Sequence, residues 1–169
     1  PSWLYPITRG ATTVWERWDG IRPDGSFQDT SMNSFNHYAY GAVGEWMYRV
    51  VAGLSPDPAD PGYHHVVIQP RPGGGLTSAR ATLATVYGEV TSGWERAGDT
   101  LRLVVRIPPN AHATVRLPDA SLPTVTEGAV PAATADGVTS AKQDGQAAVL
   151  EIGSGDYRFS WRAAPPASP

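Results

Sequence analysis

The stretch Ser55-Pro56-Asp57-Pro58-Ala59-Asp60-Pro61-Gly62 separates two parts of this chain that must fold by different rules. Its three prolines cannot continue a helix or donate to a central strand, so a helix arriving from the N-terminal side ends here. A linker or domain boundary is expected, with one domain over residues 1–60 and a second over 61–163. A proline- and alanine-rich tail follows over 164–169 and is expected to be disordered. Aromatic content changes at the same place: 10 of the 16 aromatic residues lie in the first 55 positions, among them Trp3, Trp15, Trp18 and Trp46.

Before the boundary, Phe35, Tyr38, Ala39, Ala42, Val43, Trp46, Met47, Val50, Val51 and Leu54 recur at three- and four-residue spacing. This spacing predicts a long helix with one buried stripe. Asn33 or Ser34 is suited to cap its start, and Gly53 to end it in the left-handed conformation. Residues 1–8 are expected to supply part of a second helix. Two helices and a long loop cannot bury four tryptophans, so helices from outside this chain are implied. The opening Pro1-Ser2-Trp3-Leu4, aromatic at once, likewise reads as the middle of a larger protein.

After the boundary come short runs rich in Val, Thr, Ile and Leu: Val66–Ile68, Ala79–Val86, Gly88–Trp94, Leu101–Ile107, Thr114–Leu117, Ala147–Ile152 and Tyr157–Trp161. Turn residues separate them, which predicts an antiparallel sandwich of roughly seven strands. Ala97-Gly98-Asp99 and Asp144-Gly145 are expected hairpin turns, and Pro108-Pro109-Asn110 ends a strand.

Several functional classes are disfavoured. The 13 basic and 16 acidic residues give a net charge of −3 with no long block of one sign, so nucleic acid is not expected as a partner. Without cysteine there is neither a disulfide framework nor a thiolate metal site, and the compartment is left open between cytoplasm and exterior. No run approaches the ~18 apolar residues of a membrane helix, so a soluble chain is expected. His64 and His65 are adjacent on a strand, point to opposite faces and cannot share a metal. Asp19, Asp24 and Asp29 lack calcium-loop spacing, and Asp24-Gly25 reads as turn chemistry. Gly73-Gly74-Gly75 has neither the lysine nor the following helix of a phosphate loop. No metal or cofactor is expected.

The densest chemistry lies in Thr12-Thr13-Val14-Trp15-Glu16-Arg17-Trp18-Asp19-Gly20. Aromatic faces beside carboxylates commonly hold sugars, and a carboxylate so placed can take a proton from an attacking water. The plainer reading is that Glu16 and Arg17 form ordinary exposed pairs while the tryptophans fill a core. His37 falls off the apolar stripe of the expected helix, near Gly41 and Gly44. Such a histidine either faces a cavity or is satisfied by a neighbouring carbonyl or by solvent.

Pro1–Tyr5, Ala11–Gly20 and Met32–Tyr48 together resemble the end of the catalytic barrel of bacterial α-L-rhamnosidases, glycoside hydrolase family 78. The resemblance continues through Pro61-Gly62-Tyr63, Ile68–Gly74, Val86-Tyr87-Gly88 and Ser92-Gly93-Trp94, and beyond about Pro118 it is one of strand type only. It implies the final helices of a six-fold (α/α) barrel followed by an antiparallel β-sandwich, and an inverting hydrolase acting on terminal α-L-rhamnose. It further implies that Glu16 is the general base and that His37 contacts rhamnose. The general acid is implied to lie outside this chain, and the remainder of the barrel is the implied partner. Trp15 and Trp18 are candidate walls of the sugar pocket, and Arg17 a candidate for tuning the base. The alternatives are a carbohydrate-binding sandwich using Trp94 and Tyr87 as stacking platforms, or a purely structural sandwich.

Overall fold

The computed structural model describes residues 2–163, so the expected tail at 164–169 lies outside the described residues. Two compact units are present, Pro1–Trp46 and Met47–Pro169.

In the first unit, α1 (Leu4–Thr8) is one short turn, with Pro6 in a first-turn position where no backbone N–H is needed. From Gly10 to Tyr38 the chain is almost wholly turns and bends. Asp24 accepts hydrogen bonds from Ser26 N (2.9 Å) and Oγ (2.7 Å), and Asp29 does the same from Ser31 N (2.7 Å) and Oγ (2.8 Å). The Ser26 hydroxyl and the Ser31 backbone N–H are the main reasons that these two carboxyls titrate below the ordinary aspartate range. Gly25 sits at φ +85°, the turn geometry expected of Asp-Gly.

The long helix expected over residues 35–54 is not formed as such. Helical backbone begins only at Ala39, as a 3-10 turn (Ala39–Ala42) followed by α2 (Val43–Trp46), and neither Asn33 nor Ser34 caps it. Its first expected turn is diverted into extended pairing: His37 N donates to Val14 O at 2.8 Å, and Thr13 Oγ1 donates to Phe35 O. The stripe is not buried either, with Tyr38 89% and Trp46 55% exposed.

The second unit opens with a π-type turn (Met47–Val51) and reaches Gly53 at φ +73°. A Cβ on Gly53 would stand 2.0 Å from Pro70 N, so this position ends the helical run and admits only glycine. Leu54 does not continue the helix. It begins β1 (Leu54–Pro56), which pairs antiparallel with β2 (His65–Ile68), and residues 57–64 make the connection between them. Pro56 is tolerated because β1 is an edge strand.

The remaining strands are β3 (Ser78–Thr85), β4 (Gly88–Ala97), β5 (Thr100–Ile107), β6 (His112–Leu117), β7 (Thr126–Glu127), β8 (Val130–Pro131), β9 (Val138–Asp144), β10 (Ala147–Ile152) and β11 (Gly155–Arg162). They form a five-stranded sheet, β1-β2-β6-β10-β9, and a six-stranded sheet, β3-β4-β5-β11-β7-β8. All pairs are antiparallel except β2 with β6, which run parallel with His65 opposite His112. All seven expected strands occur, and Gly98 and Gly145 take positive φ at the expected hairpins.

Both sheets turn alternate residues inward. Leu101, Leu103, Val105 and Ile107 of β5 and Tyr157, Phe159 and Trp161 of β11 face Val66, Ile68, Val115, Leu117, Leu150 and Ile152 of the other sheet in one shared core. The buried polar atoms are paired: Trp94 Nε1 donates to Val51 O (2.7 Å), Trp161 Nε1 to Pro118 O (2.8 Å) and Ser92 Oγ to Ala52 O (2.6 Å). Among the described residues no helix is long and apolar enough to cross a membrane.

Candidate functional site

The polar-aromatic segment runs beside residues 34–37 as an irregular stretch tied to them by isolated backbone hydrogen bonds. Glu16 N donates to Ser34 O (2.8 Å), and Glu16 Oε2 accepts from Ser34 N, also at 2.8 Å. The carboxylate thus takes the place of the backbone carbonyl that would complete an antiparallel pair, which fixes the side chain against its own backbone register. Three residues along, His37 N binds Val14 O, so Glu16 and His37 are carried on neighbouring segments zipped at both ends.

His37 is half-buried; its Nδ1 accepts from Ala39 N at 3.4 Å, and its ring stacks on Tyr38 at 5.9 Å between centroids. Nδ1 is engaged as an acceptor, so in the neutral ring the proton sits on Nε2, which is then the atom able to donate to a ligand.

The two tryptophans differ. Trp15 is 6% exposed and meets the Phe35 ring edge-on at 5.0 Å, an interior contact of the first unit. Trp18 is stacked on Tyr40 at 4.8 Å and lies 4.9 Å from Trp3, whose Nε1 donates to Tyr40 O. Arg17 does not reach toward Glu16 by any recorded bond; its Nε pairs with Asp19 Oδ1 at 3.4 Å, and its Nη1 lies 4.0 Å from Met32 Sδ. Tyr40 and Ser34 are members of this arrangement that the sequence did not single out. Tyr40 lay inside the expected helix, and Ser34 acts through its backbone, which no residue pattern reveals.

Trp18 Nε1, Gln28 Oε1 and Asn33 Oδ1 are buried without a hydrogen-bond partner among the described residues, and all three belong to the first unit. Buried polar atoms are almost always paired in a complete structure.

The other sequence candidates fall elsewhere. Trp94 is 2% exposed and hydrogen-bonded in the sandwich core, so it cannot be a stacking platform for sugar; Tyr87 is exposed at the β3–β4 turn. Burial of Trp94 within the sandwich's own core fits a packing role for that residue. His64 Nδ1 binds Asp60 Oδ2 and His65 Nδ1 binds Asp57 Oδ2, each at 2.7 Å, so the adjacent histidines serve different carboxylates. No group of three or more His, Asp or Glu side chains suited to a metal occurs among the described residues.

Comparison with known proteins agrees with this division. A family model described as the bacterial alpha-L-rhamnosidase 6 hairpin glycosidase domain matches residues 1–51, and one described as the bacterial alpha-L-rhamnosidase C-terminal domain matches residues 53–130. An alpha-L-rhamnosidase of Streptomyces avermitilis is 50% identical over 160 residues, 95% of this chain and 15% of that protein. One from Formosa agariphila is 52% identical over 118 residues, 70% of this chain and 12% of that protein. The chain therefore spans less than a sixth of the length of these curated relatives. The crystal structure of the Streptomyces avermitilis alpha-L-rhamnosidase complexed with L-rhamnose superposes with a TM-score of 0.82 at 47% identity, covering 96% of this chain and 15% of that one.

Proposed function

Since the chain belongs to the bacterial α-L-rhamnosidases, matching a C-terminal portion of them, we propose that it completes the active site of an inverting α-L-rhamnosidase and that Glu16 is its general base. The observation that carries this reading is the reciprocal bonding of Glu16 with Ser34, beside the Val14–His37 bond. A carboxylate held through Oε2 by a backbone N–H has its other oxygen free to orient a water.

Mechanistically, Glu16 takes a proton from that water as its oxygen attacks the anomeric carbon of a terminal rhamnose. The bond from that carbon to the aglycone oxygen breaks, and a carboxylic acid from elsewhere in the enzyme protonates the departing oxygen. Direct displacement inverts the anomeric centre and requires about 6.5–9.5 Å between the two carboxyl groups. His37, through Nε2, donates to a sugar hydroxyl, and Trp18, backed by Tyr40 and Trp3, walls the pocket. Trp15 contributes by fixing Phe35, which follows Ser34 directly. Arg17, bonded to Asp19, positions the loop.

The partner of the first unit in this reading is the rest of the (α/α) barrel. The exposed Trp3, Leu4, Ile7 and Trp46, together with the three unpaired buried atoms, support it. We place the domain division near residues 51–60 and assign the sandwich a packing role. The test is Glu16→Gln in the intact enzyme acting on an aryl α-L-rhamnoside. Turnover should fall by about three orders of magnitude or more with little change in binding, as for loss of a transition-state contact, and proton NMR of the first product should show the inverted anomer. Near-normal turnover in the variant removes Glu16 from the mechanism.

A further inference from the structure

The outer face of the six-stranded sheet is built from three parallel cross-strand rows. One runs Ser78–Glu95–Arg102–Ser160, the next Arg80–Gly93–Val104–Arg158, and the third Thr82–Thr91–Arg106–Asp156. In the two flanking rows each arginine is neutralised: Arg102 pairs with Glu95 at 2.9 Å, and Arg106 pairs with Asp156 at 2.7 Å and Glu89 at 3.4 Å.

The middle row has no carboxylate. Arg80 and Arg158 form no ion pair among the described residues, although both are exposed on a sheet where their neighbours are matched. Between them the floor is low. Gly93 lacks a side chain, and the Arg80 stem lies over it so closely that a Cβ there would meet Arg80 Cγ at 3.1 Å. Two depressions, of 540 and 300 Å³, lie on this face, and both are lined by Arg80, Val104 and Arg158. Their volumes fall within the ~300–1,000 Å³ typical of small-molecule sites.

From this row we infer that the outer face of the sandwich binds an acidic saccharide, with Arg80 and Arg158 gripping a uronate carboxylate above Val104. Charge complementarity selects an anion, because two unneutralised guanidinium groups share one trough and their planar forks suit a carboxylate. The lining selects a saccharide over an acidic peptide. Ser78 and Ser160 edge the larger depression with hydroxyls that can bind sugar hydroxyls, and Val104 offers a flat apolar patch for the C–H face of a sugar ring. The site is independent of Glu16 and involves no bond breaking.

Isothermal titration calorimetry of the intact protein with tetragalacturonate, at low ionic strength, tests this inference. Binding is expected for the wild type, at least tenfold weaker binding for Arg80→Ala/Arg158→Ala, and less than threefold weakening for Arg116→Ala, which lies on the other sheet and is matched by Asp144. Maltotetraose, neutral and of the same length, should not bind, and hexaglutamate should bind at least tenfold more weakly than tetragalacturonate. Both arginines are exposed and unpaired, so the double variant should melt with the wild type. If it does not, Arg80→Gln/Arg158→Gln gives the same reading. Absence of tetragalacturonate binding, equal binding by the double variant, or hexaglutamate binding as tightly as the uronate would each overturn the inference.

Discussion

Trp94 and Trp161 in the sandwich are buried and donate their indole N–H groups to carbonyls, whereas in the first unit Trp18 has a buried Nε1 with no partner and Trp3 and Trp46 lie in the open. Among the described residues the second unit leaves no buried side-chain polar atom unpaired, and it encloses both of its tryptophans. The first carries the candidate site and lacks that enclosure, so on the proposed function stability and activity should respond to different parts of this chain.

The largest effect expected concerns activity. The 169-residue chain alone should show no detectable hydrolysis of an aryl rhamnoside, while Glu16→Gln in the intact enzyme should cost about three orders of magnitude or more. Turnover by the chain alone would break the comparison outright, because the first unit would then need no completion.

Next come the cores. Trp161→Ala or Trp94→Ala should destabilise the sandwich by about 3–5 kcal/mol in denaturant unfolding. Trp46→Ala should change the isolated chain by no more than about 0.5 kcal/mol. A similar cost at both places would mean that the first unit has a core of its own. Gly53→Ala should cost about 1–3 kcal/mol from the positive φ alone, with the clash against Pro70 added. Gly98→Ala in the same unit, where φ has the same sign but the space is open, separates the two contributions.

The smallest effects are titrations, of which two in the sandwich run in opposite directions. Burial holds the Tyr157 phenol above its ordinary pKa, while its hydroxyl donates to Gly153 O at 3.0 Å. The folded state thus favours the neutral ring; this contribution is full below the unfolded value of about 10 and is lost as pH rises through the higher folded value. Asp144 moves the other way. The Arg116 guanidinium, 2.5 Å distant, holds its carboxyl below the usual range, so its contribution is present above the unfolded aspartate value and lost as pH falls through the folded one. Melting curves of Tyr157→Phe and Asp144→Asn should be flatter than wild type at the alkaline and acid ends respectively.

How far the sequence disclosed all this follows the same divide. In β5 and β11, inward apolar residues alternate with outward residues that are charged or polar except at Val104, so strand, face and core were legible from the pattern. β9, Val138–Asp144, has almost no inward apolar residue to mark it, and Pro56 disguised β1 as linker. In the first unit, spacing suggested a helix from Phe35, but periodicity cannot see that Thr13 and Val14 claim the backbone of residues 35 and 37. The Glu16–His37 neighbourhood was legible only through resemblance. Its geometry rests on main-chain bonds to Ser34 and Val14, which any residue could make.

Hydrogen–deuterium exchange of the isolated chain tests most directly whether the sandwich is complete in itself while the residues before it await partners. Amides of β4, β5, β6, β10 and β11 should exchange only through global unfolding, and those of residues 2–46 orders of magnitude faster. Protection at Glu16 and His37 equal to that of β5 in the chain alone would contradict the account.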